Sequence, residues 1–189
     1  MSKAFAAGGL LALIFGFFGF RQKPAAASLP ADTGPVPGGT VSIDTPRIVG
    51  MGSAEPDQAE LTALARTIWG EARGEGGAGR RAVAAVIMNR VRSGRYPNTV
   101  QGVVFQPWQF SMWNAGDPNG AQARAVTASD ALYAEALRIA RQALAGELTD
   151  PTGGALHYYA SWLPQKPYWA AGAYESARIG NHIFLTGVS

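Results

Sequence analysis

Leu64-Ala65-Arg66-Thr67-Ile68-Trp69-Gly70-Glu71-Ala72-Arg73-Gly74-Glu75 is the stretch on which the fold turns. Its apolar residues recur at helical spacing, and the pattern extends upstream to Leu61. Asp57-x-x-Glu60, with Pro56 just before it, reads as a capping box that opens the helix. Leu61, Leu64, Ala65, Ile68, Trp69 and Ala72 then form a broad stripe facing a core. Gly74, Gly76, Gly77 and Gly79 end it. A second helix follows, with Ala82, Val83, Val86, Ile87 and Val91 on one face and Ser93-Gly94 as its stop. Residues 95–127 are rich in aromatic and turn residues and predict one short helical turn, around Thr99 to Phe105, and little else. A loop that long in a compact domain usually carries function. A third helix is predicted from about Ala128 to Ala145, with Leu132, Tyr133, Ala136, Leu137, Ala140 and Leu144 facing the core. Residues 155–160 have strand composition, and residues 178–184 read as two short strands about a Gly-Asn turn. The expected class is α+β, mostly helical, with a small C-terminal antiparallel sheet.

Glu71 draws attention first. At helical spacing it falls beside Leu64 and Ile68, on the edge of the apolar stripe. A carboxyl there loses hydration, which favours its neutral form and suits general acid chemistry on a glycosidic oxygen. The plainer reading is a surface glutamate at a helix end, paired with Arg66 or Arg73. Glu75 is either a second carboxylate, as a retaining glycosidase needs, or a partner of Arg80 or Arg81. Asp117, Asp150 and Glu175 are further carboxylates that spacing does not place. His157 and His182 are the only histidines. They sit in strand-like segments that could face each other, yet no third histidine and no His-x-x-x-His pair accompanies them. Aromatic residues crowd the irregular segments. Exposed rings there would stack on sugar faces, and Gln109 and Ser111 would bond hydroxyl and acetamido groups. Packing beneath long loops accounts for the others.

The composition narrows the choice. The chain has 189 residues, no cysteine and a formal net charge of +3. Three of its sixteen basic residues, Lys3, Arg21 and Lys23, lie within the first 23 residues, and the remaining thirteen balance thirteen acidic residues. A neutral body lacks the electrostatic footprint of a nucleic-acid binder. Without cysteine there is no disulfide framework, no thiol nucleophile and no Cys-ligated zinc. No phosphate loop, dinucleotide fingerprint or Gly-x-Ser-x-Gly elbow occurs. Residues 4–20 carry no charge. Residues 1–27 are therefore expected to be a signal peptide, cleaved after Ala25-Ala26-Ala27, or an N-terminal membrane anchor. Residues 28–56 read as a Pro/Gly-rich linker. Residues 57–189 are left as the folded domain, expected outside the cytoplasm.

The motifs together resemble a known family. Residues 64–75, then Ala82 to Val91, Tyr96-Pro97-Asn98-Thr99-Val100-Gln101-Gly102-Val103-Val104-Phe105, Gln109-Phe110-Ser111, Asp150-Pro151-Thr152-Gly153-Gly154-Ala155 with Tyr158-Tyr159, and Ile179 to Phe184 occur in the order seen in SleB/CwlJ-type cell wall hydrolases. The resemblance spans about residues 58 to 185. It implies a lysozyme-like scaffold that cleaves peptidoglycan glycan strands, with Glu71 as the catalytic acid/base and Glu75, Gln109, Phe110, Ser111, Tyr158 and Tyr159 as substrate-binding residues. It implies a lytic transglycosylase acting between N-acetylmuramic acid and N-acetylglucosamine, in which a single carboxyl suffices. No cofactor and no metal is expected, and the chain is expected to be a monomer. Two other readings stay open: a non-catalytic wall-binding or particle-assembly module, and a metal-dependent amidase built on His157 and His182.

Overall fold

A computed structural model describes residues 56–188. The expected signal or anchor and the expected linker lie outside the described residues. The elements run α1 (Gln58–Ala72), α2 (Gly77–Arg92), α3 (Val100–Val104), a 3-10 turn (Ser111–Trp113), α4 (Pro118–Ala125), α5 (Ala131–Leu144), β1 (His157–Ala160), a second 3-10 turn (Tyr168–Ala170), β2 (Tyr174–Ile179) and β3 (His182–Thr186). This is the expected mostly helical α+β class with a small antiparallel sheet.

α1 is the hub, packed against α2, α3, α4 and α5. Its buried set adds Ala63 and Thr67 to the six stripe residues read from the sequence. Helices surround it, so burial extends beyond one face. Thr67 is tolerated inside because its hydroxyl donates to the Ala63 carbonyl at 2.8 Å and accepts from Trp113 Nε1 at 3.0 Å.

The capping box is only half formed. The Asp57 carboxylate accepts from the Ala59 and Glu60 amides. Glu60 does not reach back; its carboxylate accepts from the Val100 amide at 2.6 Å and the Gln101 amide at 3.2 Å. It thereby caps the neighbouring short helix α3 alongside Thr99. A five-residue helix has little else to satisfy its free amides, so a second anion from α1 is favourable there.

The region 95–127 holds more structure than expected. Asp117 caps α4 with Pro118 at its first turn, a start signal that the crowd of turn residues obscured. Met112 is wedged between α1 and α4: a Cβ on Gly70 would strike its sulfur, and one on Gly120 its carbonyl. Those two glycines let the 3-10 turn seat against both helices. α5 begins at Ala131 rather than Ala128, because Asp130 is the cap, accepting from the Tyr133 amide at 2.9 Å.

The sheet has the order β1-β3-β2, all antiparallel. Its inner face carries Tyr158, His182 and Phe184 toward the helices, with Ala177 and Ile179 from β2. Its outer face carries Tyr159, Ile183 and Leu185 into a smaller cluster with Ala170, Ala173 and Val188. Ser176 bulges out of β2, and its hydroxyl donates to the Thr152 carbonyl at 2.7 Å.

Candidate active site

Glu71 ends α1 on the side where helix and sheet meet. The residue keeps some solvent-accessible surface. Its carboxyl is nonetheless crowded by protein, and the lost hydration pushes its pKa up to about 7. The Tyr158 hydroxyl opposes that rise by donating to Oε2 at 3.4 Å; the Asp117 charge adds to it and the Arg90 charge opposes it. A carboxyl poised near neutrality is half protonated where most enzymes work, so it can both give and take a proton.

Each neighbour is fixed for a physical reason. Tyr158 is buried on the inner sheet face, edge-on to His182 and beside Phe184. Burial first, and Glu71 second, hold its phenol protonated. Arg90 is buried near the end of α2, over the rings of Tyr96 and Phe110. Its Nε donates to the Leu156 carbonyl at 2.8 Å and one Nη to Gln109 Oε1 at 3.0 Å. The preceding Asn89 amide donates to Asp150 at 2.9 Å. Asp150 works against its own desolvation by accepting from Thr152, Asn89 and Gly154, which hold its pKa below the usual range. Motifs far apart in sequence therefore converge on the Asn89-Arg90 step, and through it on Glu71.

The other expected site residues fare differently. Phe110 is only 1% exposed and lies under Arg90 as core, so it offers no surface to a ligand. Gln109 spends its carbonyl on Arg90. Ser111 opens the 3-10 turn and its backbone carbonyl accepts from the Asn114 amide. Tyr159 points away from Glu71, because strand alternation sends it to the outer face against Trp169. Glu75 forms no side-chain ion pair with Arg80 or Arg81. Its carboxylate accepts from the Asn181 backbone amide and side-chain amide, each at 3.0 Å, and so clasps the β2–β3 turn to the end of α1. Arg80 instead pairs with Glu135 at 2.6 Å and donates to the Glu75 carbonyl.

The two histidines do not face each other. His157 pairs with Leu185 on the outer face, where it meets the Tyr96 hydroxyl at 3.1 Å; His182 lies on the inner face. The metal-dependent reading loses its geometry, and no cluster of three metal-ligating side chains occurs among the described residues. Sequence reasoning missed Arg90 and left Asp117 unplaced. The signal for Arg90 was its spacing, four residues after Val86 and three after Ile87 on the apolar face of α2; the signal for Asp117 was Asp-Pro.

Of the aromatic side chains in irregular segments, Trp108 is 64% exposed and Tyr168 71%. Trp108 adopts φ +67°, a strained value for a bulky residue, and adjoins Gln109.

A family model described as Cell Wall Hydrolase matches residues 74–185. The chain is 33% identical over 135 residues to the spore cortex-lytic enzyme of Bacillus cereus, covering 67% of this chain and 44% of that protein. It is 35% identical over 127 residues to the spore cortex-lytic enzyme of Bacillus subtilis, covering 66% and 37%. The chain thus spans less than half the length of these curated relatives. Among solved structures, the catalytic domain of the Bacillus cereus SleB protein superposes with a TM-score of 0.55 at 34% identity, covering 72% of this chain and 100% of that one. The catalytic domain of the germination-specific lytic transglycosylase SleB from Bacillus anthracis gives 0.55 and 34%, covering 70% and 98%.

Proposed function

The chain belongs to the cell wall hydrolase family, and from that premise we propose that its folded domain cleaves peptidoglycan glycan strands with Glu71 as the acid/base. The observation that carries this reading is the desolvated Glu71 carboxyl, poised near pH 7 and tethered by the Tyr158 hydroxyl. The family match begins at residue 74, beyond Glu71, so its assignment rests on this geometry and on the motif around it.

In the proposed step Glu71 donates its proton to the glycosidic oxygen between N-acetylmuramic acid and N-acetylglucosamine. The C1–O bond breaks, and the leaving sugar departs as an alcohol. The Glu71 carboxylate then removes the proton of the muramyl 6-hydroxyl as that oxygen bonds to C1. The product is a 1,6-anhydro end, and the enzyme regains its proton. Arg90 favours the carboxylate form between the two halves, while burial favours the acid form before and after. A lytic transglycosylase needs no second carboxylate. Asp117, the acidic neighbour that Glu71 senses, accepts from the Asn119 amide at 2.8 Å as a helix cap, which supports the single-carboxyl reading. Were Asp117 to activate water instead, the products would carry reducing ends.

The arrangement proposed for the whole chain is a signal or anchor over residues 1–27, a linker over 28–56 and the catalytic domain over 57–189. A wall substrate requires an extracytoplasmic location. The test is digestion of purified sacculi by wild type and Glu71→Gln, with products read by mass spectrometry. Anhydro-ended muropeptides from the wild type are expected, with a loss of about 100-fold or more in the variant, since positioned acid–base groups typically supply that much. Near wild-type release by a folded Glu71→Gln protein would defeat the assignment.

A further inference from the structure

A groove of about 580 Å³ opens beside the first three turns of α1, and Glu71 is not among its lining residues. Arg66 and Arg124 line it together with Phe105, Trp113, Gln58 and Thr62, and no carboxylate does. Arg66 Nε is buried without any hydrogen-bond acceptor. Neither guanidinium forms an ion pair among the described residues. A buried guanidinium N–H without an acceptor is costly unless a ligand supplies one. Phe105 and Trp113 meet edge-to-face at 4.8 Å and give the groove an aromatic wall; Phe105 is 47% exposed. Trp113 is held in place by its bond to Thr67.

We propose that this groove binds the carboxylate-bearing stem peptide of the glycan strand whose backbone Glu71 cleaves. The inference rests on the glycan-cleaving reading above. Two planar guanidinium forks without counter-ions match carboxylates in charge and shape. The aromatic wall and the Ala59 and Ala63 methyls suit the small apolar side chains of such a peptide. The location fits as well. Arg66 precedes Glu71 by five residues on the same helix, about 7.5 Å along its axis and about 140° around it, so the groove and the acid lie on different sides of α1. A stem peptide of four or five residues, extended at about 3.3–3.6 Å per residue, is long enough to pass from a muramic acid near the scissile bond around the helix to the groove. α1 in this view is a ruler, with the acid at one end and the peptide clamp along the rest.

The test uses the full-length chain carrying Glu71→Gln, which binds without turnover. Its co-sedimentation is compared for intact sacculi, for glycan stripped of peptides by an amidase, and for sacculi freed of phosphate-rich accessory polymers. Intact sacculi are expected to bind about tenfold more tightly than stripped glycan, the scale of a lost charge-assisted contact. Adding Arg124→Gln, on an exposed helix face, or Arg66→Lys, which keeps the charge but loses the fork, is expected to erase most of that difference. Removing the phosphate polymers is expected to change nothing. The proposal falls if Arg124→Gln leaves the intact-to-stripped ratio unchanged. It also falls if binding follows the phosphate polymer instead of the peptide. Thermal unfolding identifies a misfolded Arg66→Lys, in which case Arg124→Gln alone decides. Cleavage by the otherwise wild-type chain separates the two ideas: sacculi digested with no groove effect leave the enzyme reading standing, whereas no digestion and no sedimentation bring both down.

Discussion

At the scale of single residues, the Glu71 pKa makes a signed prediction. Loss of hydration raises it to about 7, so the acid form that the proposed step requires dominates below that pH. The pH profile of kcat/KM is expected to fall tenfold per unit on its alkaline side, with its break near 7. The Tyr158 hydroxyl acts the other way, holding the carboxylate form and lowering the pKa. Tyr158→Phe removes that donor and little volume. Its alkaline limb should move to higher pH, with the fold retained. A limb that stays put or moves to lower pH would show that the 3.4 Å contact does not couple the two groups. The sequence placed Glu71 correctly on a stripe edge because helical periodicity is local. It could not place Arg90, whose importance comes from Leu156 and Gln109, partners supplied by other segments. Nor could it separate Tyr158 from Tyr159, which period-2 alternation sends to opposite faces once β1 is registered on β3.

At the scale of elements, capping chemistry decided most boundaries, and its errors have a common cause. A side chain read as serving its own helix can serve another. Glu60 is the clearest case: its carboxylate holds two amides at the start of α3 and leaves the α1 box open. Glu60→Ala is therefore expected to destabilise the domain by about 1–2 kcal/mol, as loss of a partly buried cap does. Denaturant unfolding would read this as a lower midpoint with an unchanged slope. An unchanged midpoint would mean that Thr99 alone caps α3. Glu75 repeats the pattern across a longer span. Its sequence leaves it as a second carboxylate or as a partner of its neighbours Arg80 and Arg81, but it clasps the Gly180–Asn181 turn. Gly180 adopts φ +56°, and a Cβ there would strike the Glu75 carboxylate. The first and last motifs of the domain are joined through this one carboxylate, a link that no reading of local pattern can supply.

For the whole molecule, the described residues form a core with α1 inside it and a sheet closing one end. No helix among them is long and apolar enough to cross a membrane. Residues 4–20, whose uncharged run precedes Arg21 and Lys23, are the stretch expected to serve as a signal or anchor. Two arrangements follow, and they make opposite demands on residues 28–56. If the chain is cleaved after Ala27, the released domain begins at Ser28, and deleting residues 28–56 should leave wall cleavage in cells unaltered. If residues 4–20 are retained, that stretch sets how far the domain can stand from the membrane, with a covalent ceiling of about 100 Å. Deleting it should then abolish cleavage of the wall in cells. In either case residues 57–189, purified alone, should digest isolated sacculi as fast as the full chain and unfold within about 2 °C of it, since the described residues bury a core of their own. The Ala25-Ala26-Ala27 run favours cleavage, so the expected intact mass of protein recovered from the envelope begins at Ser28. A mass that includes residues 1–27, together with lost activity on deleting 28–56, would establish the anchored arrangement and make the distance to the wall part of how the enzyme is controlled.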